Sequence, residues 1–430
     1  MHSVASTDRT RRIAYLMSRF PKITETFILY EMLALERLGH RVEVFPLLRQ
    51  PGGVTHAEAQ TFVERAHYRA HLSLPILAAH LHYLLRRPRA YLGALWEVLS
   101  GTWRSPNFFF GGLASFPKAV RFAYDIERLG VDHIHAHFAN HPTLAALVIH
   151  RLTGVPFSFT VHAFDLFVDQ TMLAKKVEAA ACVVTISDFN RRTLLEVCGQ
   201  DATSKIHVVH CGIDPAVFVP SKDPRGDQRF SILCVGALEE LKGHAVLIDA
   251  CAALRDRGVD FICRCAGSGS LEQSLRKRIS DLGLQNHVFL EGAKPRAEVV
   301  RLLATADVVV LPSVPTAGGK REGIPVALME AMAAGRPVIA SAMTGLAELV
   351  EPGRTGFLLQ PRDSAALTST LEMLSQDPDL RDRLGQAGRE KVEREFNLNA
   401  SAEQLAQLFG GVSCAPTARH ASQPSSSPAF

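Results

Sequence analysis

Nowhere in the 430-residue chain do about 18 uninterrupted apolar residues occur, the length a helix needs to cross a bilayer, so a membrane-spanning protein is not expected. The N-terminus, MHSVASTDRTRRIAYLM, follows Arg11 and Arg12 with only five apolar residues, too few for the core of a secretory leader. An excess of one charge is also lacking. The formal net charge is +4 with 21% charged residues, which argues against a nucleic-acid binder driven by overall charge. The eight cysteines include no CxxC pair, and the closest two, Cys263 and Cys265, fall in the strand-like run FICRCAG. Reduced thiols in a cytoplasmic protein are therefore expected. With 47% apolar residues the composition is ordinary for a globular protein. The length exceeds what one hydrophobic core usually supports, so two or three domains of roughly 100 to 200 residues are expected.

What is present is a rhythm of strands and helices. RRIAYLMSRF (11–20) reads as a strand, ETFILYEMLALERLGH (25–40) as a helix closed by Gly39, and RVEVFPLL (41–48) as the next strand. Short apolar strands in a βαβ order favour a parallel sheet covered on both faces. VDHIHAHF, the helical PTLAALVIHRLTG, then PFSFTVHA, CVVTIS and IHVVHCGID continue the pattern, giving a first α/β domain over 11–215. After PAVFVPSKDPRGDQRF (215–230), rich in Pro, Asp and Arg, the rhythm restarts, and a second doubly wound domain is expected over 216–378. Helices over 379–410 are expected to pack back toward the first domain, and the Ser-, Pro- and Ala-rich tail 411–430 cannot support a core. Tandem domains of this kind leave a cleft beyond the carboxyl ends of their strands, where ligands of open α/β sheets sit.

The richest loop for such a cleft is LPSVPTAGGKREGIPVALMEAMAAGRPVIAS (311–341). It sets Glu322, Gly323 and Pro325 just before a helix that carries Glu330, with Pro325 suited to the first helical position. The N–H groups of Gly323, Ile324 and the first turn would then form an anion site fit for a diphosphate. Glu322 and Glu330 stand about two turns apart, too far to share a proton, and would serve different atoms of an extended ligand such as the hydroxyls of a ribose or a sugar. Both are equally readable as solvated helix acids.

HIHAHFANH (133–141) places His133, His135 and His137 on alternate residues, hence on one face of a strand. They could converge as zinc ligands do, or stack along the sheet face with only His137 reaching the strand end. Asp377-Pro378-Asp379, the only DxD, reads as a helix N-cap.

The spacing Glu322, seven residues, Glu330 within EGIPVALMEAMAAGRPVIAS resembles the acidic E-x7-E motif of the family 4 retaining glycosyltransferases of the GT-B fold. VGALEELKGHAVLIDA, AGSGSLEQSLRKRI, VFLEGAKPRAEVVRLLATADVVVLPS and GLAELVEPGRTGFLL extend the resemblance over nearly the whole second domain. The first domain is similar to a narrower group, the colanic-acid-type exopolysaccharide transferases. SRFPKITETFILYEMLALERLGHRVEVFPL, HIHAHFANHPTLAALVIHRLTGVPFSFTVHAFDLF and VVHCGIDPAVF carry that likeness. The fold implied is α/β, with two Rossmann-like doubly wound domains facing a central cleft.

The resemblance implies roles residue by residue. Glu322 would contact the donor sugar and Glu330 the nucleotide ribose, while the helix start at Gly323, Ile324 and Pro325 holds the diphosphate. VGALEELKG supplies Gly236 and Lys242, the latter neutralising the departing diphosphate, but Ala237 stands where an Arg is common. Loss of that bidentate clamp calls for another cation, and Lys320 is expected to serve ahead of Arg321. His162 in TVHAFD would face the reacting sugar, with a core histidine bonded to backbone as the plainer alternative; Asp165 follows it, and His137 would line the acceptor side. Gly267 in AGSGS would shape the wall around the base or phosphate. FPKITETFI (20–28) replaces a glycine-rich loop, so Lys22, Thr24 and Glu25 would line the cleft, although Thr24 also resembles an N-cap. No metal or other cofactor is implied, because helix dipole and basic side chains can stabilise the leaving group.

Between 65 and 121 lies an insert with both tryptophans, a Phe108–Phe110 run and Arg65, Arg69, Arg86, Arg87, Arg89, Arg104, Lys118 and Arg121 against the single acid Glu97. Amphipathic helices of this kind fit an anionic bilayer surface, and equally fit helices packed on the first domain with arginines in water. The function expected is a metal-independent, retaining glycosyltransferase that moves a sugar from a nucleotide donor to a glycan or polyprenyl-diphosphate-linked glycan. It would be cytoplasmic, with peripheral contact at the inner face of the plasma membrane and no nucleic-acid partner. A nucleotide-sugar epimerase and a silent sugar-nucleotide-binding scaffold are the alternatives.

Overall fold

Short, fully buried runs of Val, Ile, Phe, Ala and His alternate with amphipathic helices, and each half of the chain gathers its runs into a sheet of six parallel strands. A computed structural model describes residues 10–22, 25–50, 57–70, 73–220 and 229–411. The first sheet comprises β1 (Arg12–Phe20), β2 (Arg41–Arg49), β3 (His133–His137), β4 (Phe157–Val161), β5 (Cys182–Thr185) and β6 (Ile206–Val208), in the order 2-1-3-4-5-6. The second comprises β7 (Phe230–Val235), β8 (Phe261–Ala266), β9 (Val288–Gly292), β10 (Val308–Leu311), β11 (Val338–Ser341) and β12 (Gly356–Leu359), in the order 12-11-10-7-8-9. Strand order reverses between β1 and β3 in the first lobe and between β7 and β10 in the second. At such switch points the loops leaving the strands diverge and open a crevice. The two crevices face each other.

The insert forms the helices Leu74–Arg86, Pro88–Thr102 and Pro106–Leu129. The last runs eight residues past the expected limit at 121, and Gly130 closes it with φ +62°. Its Phe116, Val120, Phe122 and Ala123 enter the core beneath the first sheet, so this helix is the crossover between β2 and β3.

The C-terminal helices divide between the lobes instead of both returning to the first. Pro378–Glu395, capped by the Asp377 carboxylate accepting from the Leu380 N–H at 2.8 Å, buries Leu384 and Val392 in the second-lobe core. Leu398–Phe409 crosses over and packs Leu398, Ala402, Leu405 and Phe409 against Ile13, Tyr15 and Met32. The two chain crossings lie side by side: the Ile213 N–H donates to the Phe396 carbonyl, and the Leu398 N–H to the Ile213 carbonyl, each at 2.9 Å. The lobes are joined by a paired backbone strap.

Candidate functional site

Between the lobes lies a cavity of about 680 Å³ whose walls come from the loops after β1, β3 and β4 on one side and after β7, β8, β9 and β10 on the other. Lys22, Glu25, His162, Gly236, Lys242, Gly267, Lys320, Glu322, Gly323, Ile324, Pro325 and Glu330 all line it. Thr24, also expected on this wall, lies outside the described residues.

The loop after β10 runs to a helix at Val326–Ala333, with Pro325 extended (ψ 127°) as its N-cap. Helix geometry therefore begins one residue later than expected. Among the described residues the N–H groups of Gly323, Ile324, Val326 and Ala327 meet no hydrogen-bond acceptor, and all four residues face the cavity. Such a cluster of free donors at a positive helix end attracts an anion. Gly323 is confined as well, because a Cβ there would stand 3.0 Å from Ile186 Cδ1 and 3.3 Å from Ala163 Cβ of the first lobe.

Beside these amides the Glu322 carboxylate accepts from Lys242 Nζ at 2.6 Å and from the Ser313 hydroxyl at 3.1 Å, both through Oε2. Lys242 extends from the loop after β7, where Gly267 lets the neighbouring loop close in: a Cβ on Gly267 would lie 1.9 Å from the Gly236 carbonyl oxygen. Glu330 stands further along the helix wall. Burial pushes its carboxyl up to about 7, opposed by the Arg296 guanidinium.

Across the cavity, His162 packs between Phe27 and Phe138, with ring centroids 4.7 and 4.6 Å away. Its Nε2 lies 3.1 Å from His137 Nδ1. Burial and His137 hold its pKa well below the ordinary value, so the ring is neutral. Two expected wall residues stand elsewhere. His137 does not line the cavity: as the last residue of β3 it points into the core, where its Nε2 meets Glu31 Oε1 at 3.1 Å. Asp165 does not line it either, because its buried carboxylate accepts the N–H groups of Ala139, His162 and Ala163 at 2.7 to 3.3 Å and so clamps the loop after β4. Burial lifts that carboxyl to about 6 against those bonds. At the cavity mouth Lys22 pairs with Glu25 at 2.6 Å, and Glu25 occupies the N-cap of helix Thr26–Arg37 without a side-chain capping bond.

The histidine stripe does occupy one face. Glu31, His135 and His137 present potential metal-ligand atoms within 4.8 Å of one another. Each ring nitrogen already has a protein partner, however: His135 bonds Ser158 at 2.8 Å and Thr160 at 3.0 Å, and His137 bonds Glu31 and His162. An ion would have to displace those bonds.

Sequence reasoning missed Arg296 and Glu31. Arg296 lines the cavity with its guanidinium 3.9 Å over the Tyr30 ring and 5.4 Å from that of Phe218; its signal was a basic residue following Pro295 at a helix start just past β9. Glu31 sits three residues after buried Ile28 and four before buried Leu35, an acid on an apolar stripe. A first-lobe helix is also tied to the second lobe, since the Glu348 carboxylate accepts from the Asp188 and Phe189 N–H groups, each at 2.9 Å.

The family model described as Glycosyltransferase Family 4 matches residues 24–217, and that described as Glycosyl transferases group 1 matches 219–391. A Salmonella typhimurium protein, WcaL, named as a colanic acid biosynthesis glycosyltransferase, is 31% identical over 420 residues, 93% of this chain and 99% of its own. The chain belongs to the family 4 glycosyltransferases. Over 205 residues, 48% of the chain, this transferase is 42% identical to half of the Erwinia amylovora amylovoran biosynthesis glycosyltransferase AmsK. Its fold is GT-B. Anabaena HepE, solved in complex with UDP-glucose, superposes with a TM-score of 0.69 at 19% identity, covering 94% of the transferase and all of HepE. A Rickettsia africae glycosyltransferase gives 0.69 at 18% identity over 93% of this chain and 98% of its own.

Proposed function

We propose that this glycosyltransferase takes a sugar from a nucleoside-diphosphate sugar and transfers it to a glycan or lipid-linked glycan. Transfer proceeds with retention at the anomeric carbon and without a protein-bound metal. The carrying observation is the set of amides at Gly323, Ile324, Val326 and Ala327, unpaired among the described residues, beside the Lys242–Glu322 pair. A departing nucleoside diphosphate carries the charge that most limits such a reaction, and prealigned amides with an ammonium stabilise it without reorganising. Ala237 offers no guanidinium, and Lys320 with Arg321, both on the cavity wall, supply the remaining positive charge of the loop. Glu322 uses Oε2 for Lys242 and Ser313, which leaves Oε1 for sugar hydroxyls. Glu330 accepts the ribose diol, and His162 faces the sugar from the other lobe. The names of WcaL and AmsK support a place in surface-polysaccharide assembly, and the HepE complex supports a nucleotide-sugar donor.

The test begins with a thermal-shift screen of nucleotide sugars, since a bound ligand raises apparent stability by mass action. With the donor found, Glu322→Ala should abolish transfer and leave nucleotide binding measurable; full turnover in that variant refutes the assignment. Product NMR should show the donor's anomeric configuration, and chelator should leave the rate unchanged. Conversion of the donor sugar without acceptor would instead reveal an epimerase.

The same reading includes peripheral contact with an anionic bilayer. The outward face of the helices Leu74–Arg86 and Pro88–Thr102 leaves Leu74 81%, Leu85 72% and Trp96 69% exposed, with Leu77, Leu81, Leu92 and Trp103 also in solvent. Arg86, Arg89 and Arg104 are exposed among them, and the one acid of these two helices, Glu97, is held by Arg151 at 3.0 Å. Apolar side chains flanked by arginines without free acids complement an anionic lipid surface. No described helix is long and apolar enough to cross a membrane. The full chain should co-float with vesicles containing phosphatidylglycerol and not with phosphatidylcholine alone, and Leu81→Ser with Trp96→Ser should abolish flotation. Absence of flotation, or a vesicle-free dimer that the same substitutions dissociate, overturns the contact.

A further inference from the structure

We infer that Tyr15, Glu31 and His137 form a buried hydrogen-bond chain that fixes the proton of His162 on Nε2, so that His162 presents only a lone pair, at Nδ1, to the cleft. Glu31 and His137 are thus positioning residues for the sugar site. The chain joins three elements: Tyr15 on β1, Glu31 on helix Thr26–Arg37, and His137 at the end of β3.

The argument is an accounting of protons. The Tyr15 hydroxyl donates to Glu31 Oε1 at 2.6 Å, and burial together with Glu31 keeps that phenol protonated. The oxygen that accepts the phenol's hydrogen carries none of its own and can only accept a second. His137 Nε2, 3.1 Å from the same oxygen, must therefore carry its hydrogen. Its Nδ1, in the neutral ring, is then an acceptor, and the group 3.1 Å away is His162 Nε2. His162 is neutral and holds a single ring proton, which must lie on Nε2 to complete the bond. No described residue bonds its Nδ1, and the ring lines the cavity. An imidazolium at His137 would reverse the last bond; the ring itself is wholly buried, packed on His135 and His162 at centroid distances of 5.0 and 5.4 Å.

The chemical consequence is selectivity. His162 accepts a hydrogen bond from a sugar hydroxyl or amine and offers none to a carbonyl or carboxylate. A donor deoxygenated at the facing position leaves a buried lone pair unpaired and should be transferred poorly.

The inference rests on the cleft being the sugar site, and its first test is independent of that reading. In the full chain labelled with 15N-histidine, and assigned with His137→Gln and His162→Gln, both rings should show a protonated Nε2 and an unprotonated Nδ1. A proton on His162 Nδ1, or an imidazolium at His137, overturns the inference whatever the cleft binds. The second test uses transfer rates. Glu31→Gln can donate as well as accept, so it should mix the His162 tautomers and lower kcat about 10- to 100-fold with donor KM little changed. In a His162→Ala background, Glu31→Gln should cost nothing further, because its path to the substrate is already gone. An equal loss in both backgrounds marks a merely structural role and overturns the inference. If no donor is transferred by any form while the tautomers stand as described, the failure belongs to the cleft reading alone.

Discussion

Lowering the pH from 8 to 6 should weaken donor binding by up to about tenfold, because in its proposed role Glu330 has to be ionised to accept both ribose hydroxyls. Burial raises this carboxyl to about 7, and the nearby Arg296 guanidinium opposes the shift. The sign follows from the form that binds. Below a raised pKa the proton stays on, the carboxyl becomes a donor at one oxygen, and one ribose bond is lost. With a midpoint near 7, the ionised fraction falls from about nine-tenths at pH 8 to about one-tenth at pH 6, roughly tenfold in Kd or about 1.4 kcal/mol. Isothermal titration with an intact nucleotide sugar is the suitable assay, because its doubly esterified diphosphate has no proton to lose in this range. Glu330→Gln should bind more weakly at pH 8 and show no slope. Arg296→Gln removes the opposing charge, so its midpoint should move up and its loss at pH 7 should exceed that of the parent. A Kd constant from pH 6 to 8 in the parent, or an unchanged slope in Glu330→Gln, refutes the reasoning.

Lys176 is wholly buried, donating to the carbonyls of Ala139 at 2.7 Å and Thr171 at 2.9 Å, and desolvation depresses it to about 7. The unfolded chain therefore binds the extra proton between about pH 7 and 10.5, so its contribution to stability rises with pH across that window, and chemical denaturation of Lys176→Met should show that part of the slope removed. Gly267→Ala would force a Cβ to within 1.9 Å of the Gly236 carbonyl oxygen and should lower stability by about 1–3 kcal/mol in a urea titration, with donor binding impaired by the shifted phosphate loop. Glu348→Ala leaves the N–H groups of Asp188 and Phe189 without their second-lobe acceptor, and should cost about 1–3 kcal/mol and widen the interlobe distance distribution in small-angle scattering.

The two-lobe architecture was legible because strands such as β3, β4, β5, β10 and β11 are short runs buried throughout, and because the same alternation restarts after a polar linker. The free amides before the helix Val326–Ala333 were legible for a local reason. A glycine, a proline and an acid just before a helix announce free amides whatever the rest of the chain does. Boundaries were harder. The helix Pro106–Leu129 continued past the basic insert because its apolar face does: Phe108, Phe116, Val120, Phe122, Ala123 and Ile126 are all core residues of the first lobe. The route of the C-terminus was only half visible, since Leu384 and Leu398 look alike as apolar helix positions and differ only in which lobe they meet. The long-range partners were invisible: Glu31 and His137 are 106 residues apart, and Glu348 and Asp188 are 160.

The histidine stripe shows where such a limit can be moved. His133, His135 and His137 alone are compatible with an ion or with a sheet-face ladder, because both need imidazoles on one face. The deciding information lies on the neighbouring strand. In SFTVH, Ser158, Thr160 and His162 also recur every second residue, and β3 pairs with β4 so that His135 stands opposite Ser158 and His137 opposite Thr160. A stripe of imidazoles beside a stripe of hydroxyls can satisfy its nitrogens within the sheet, as His133 and His135 do with Ser158 at 2.7 and 2.8 Å. Once two of the rings are spent on hydroxyls, the third is left to reach past the strand end to His162, and the polar face becomes a conduit into the cleft. Period-two polar positions on two adjacent buried strands are therefore the signal to read together. The first strand taken alone suggests a ligand, while the pair specifies a network whose last member faces the cleft.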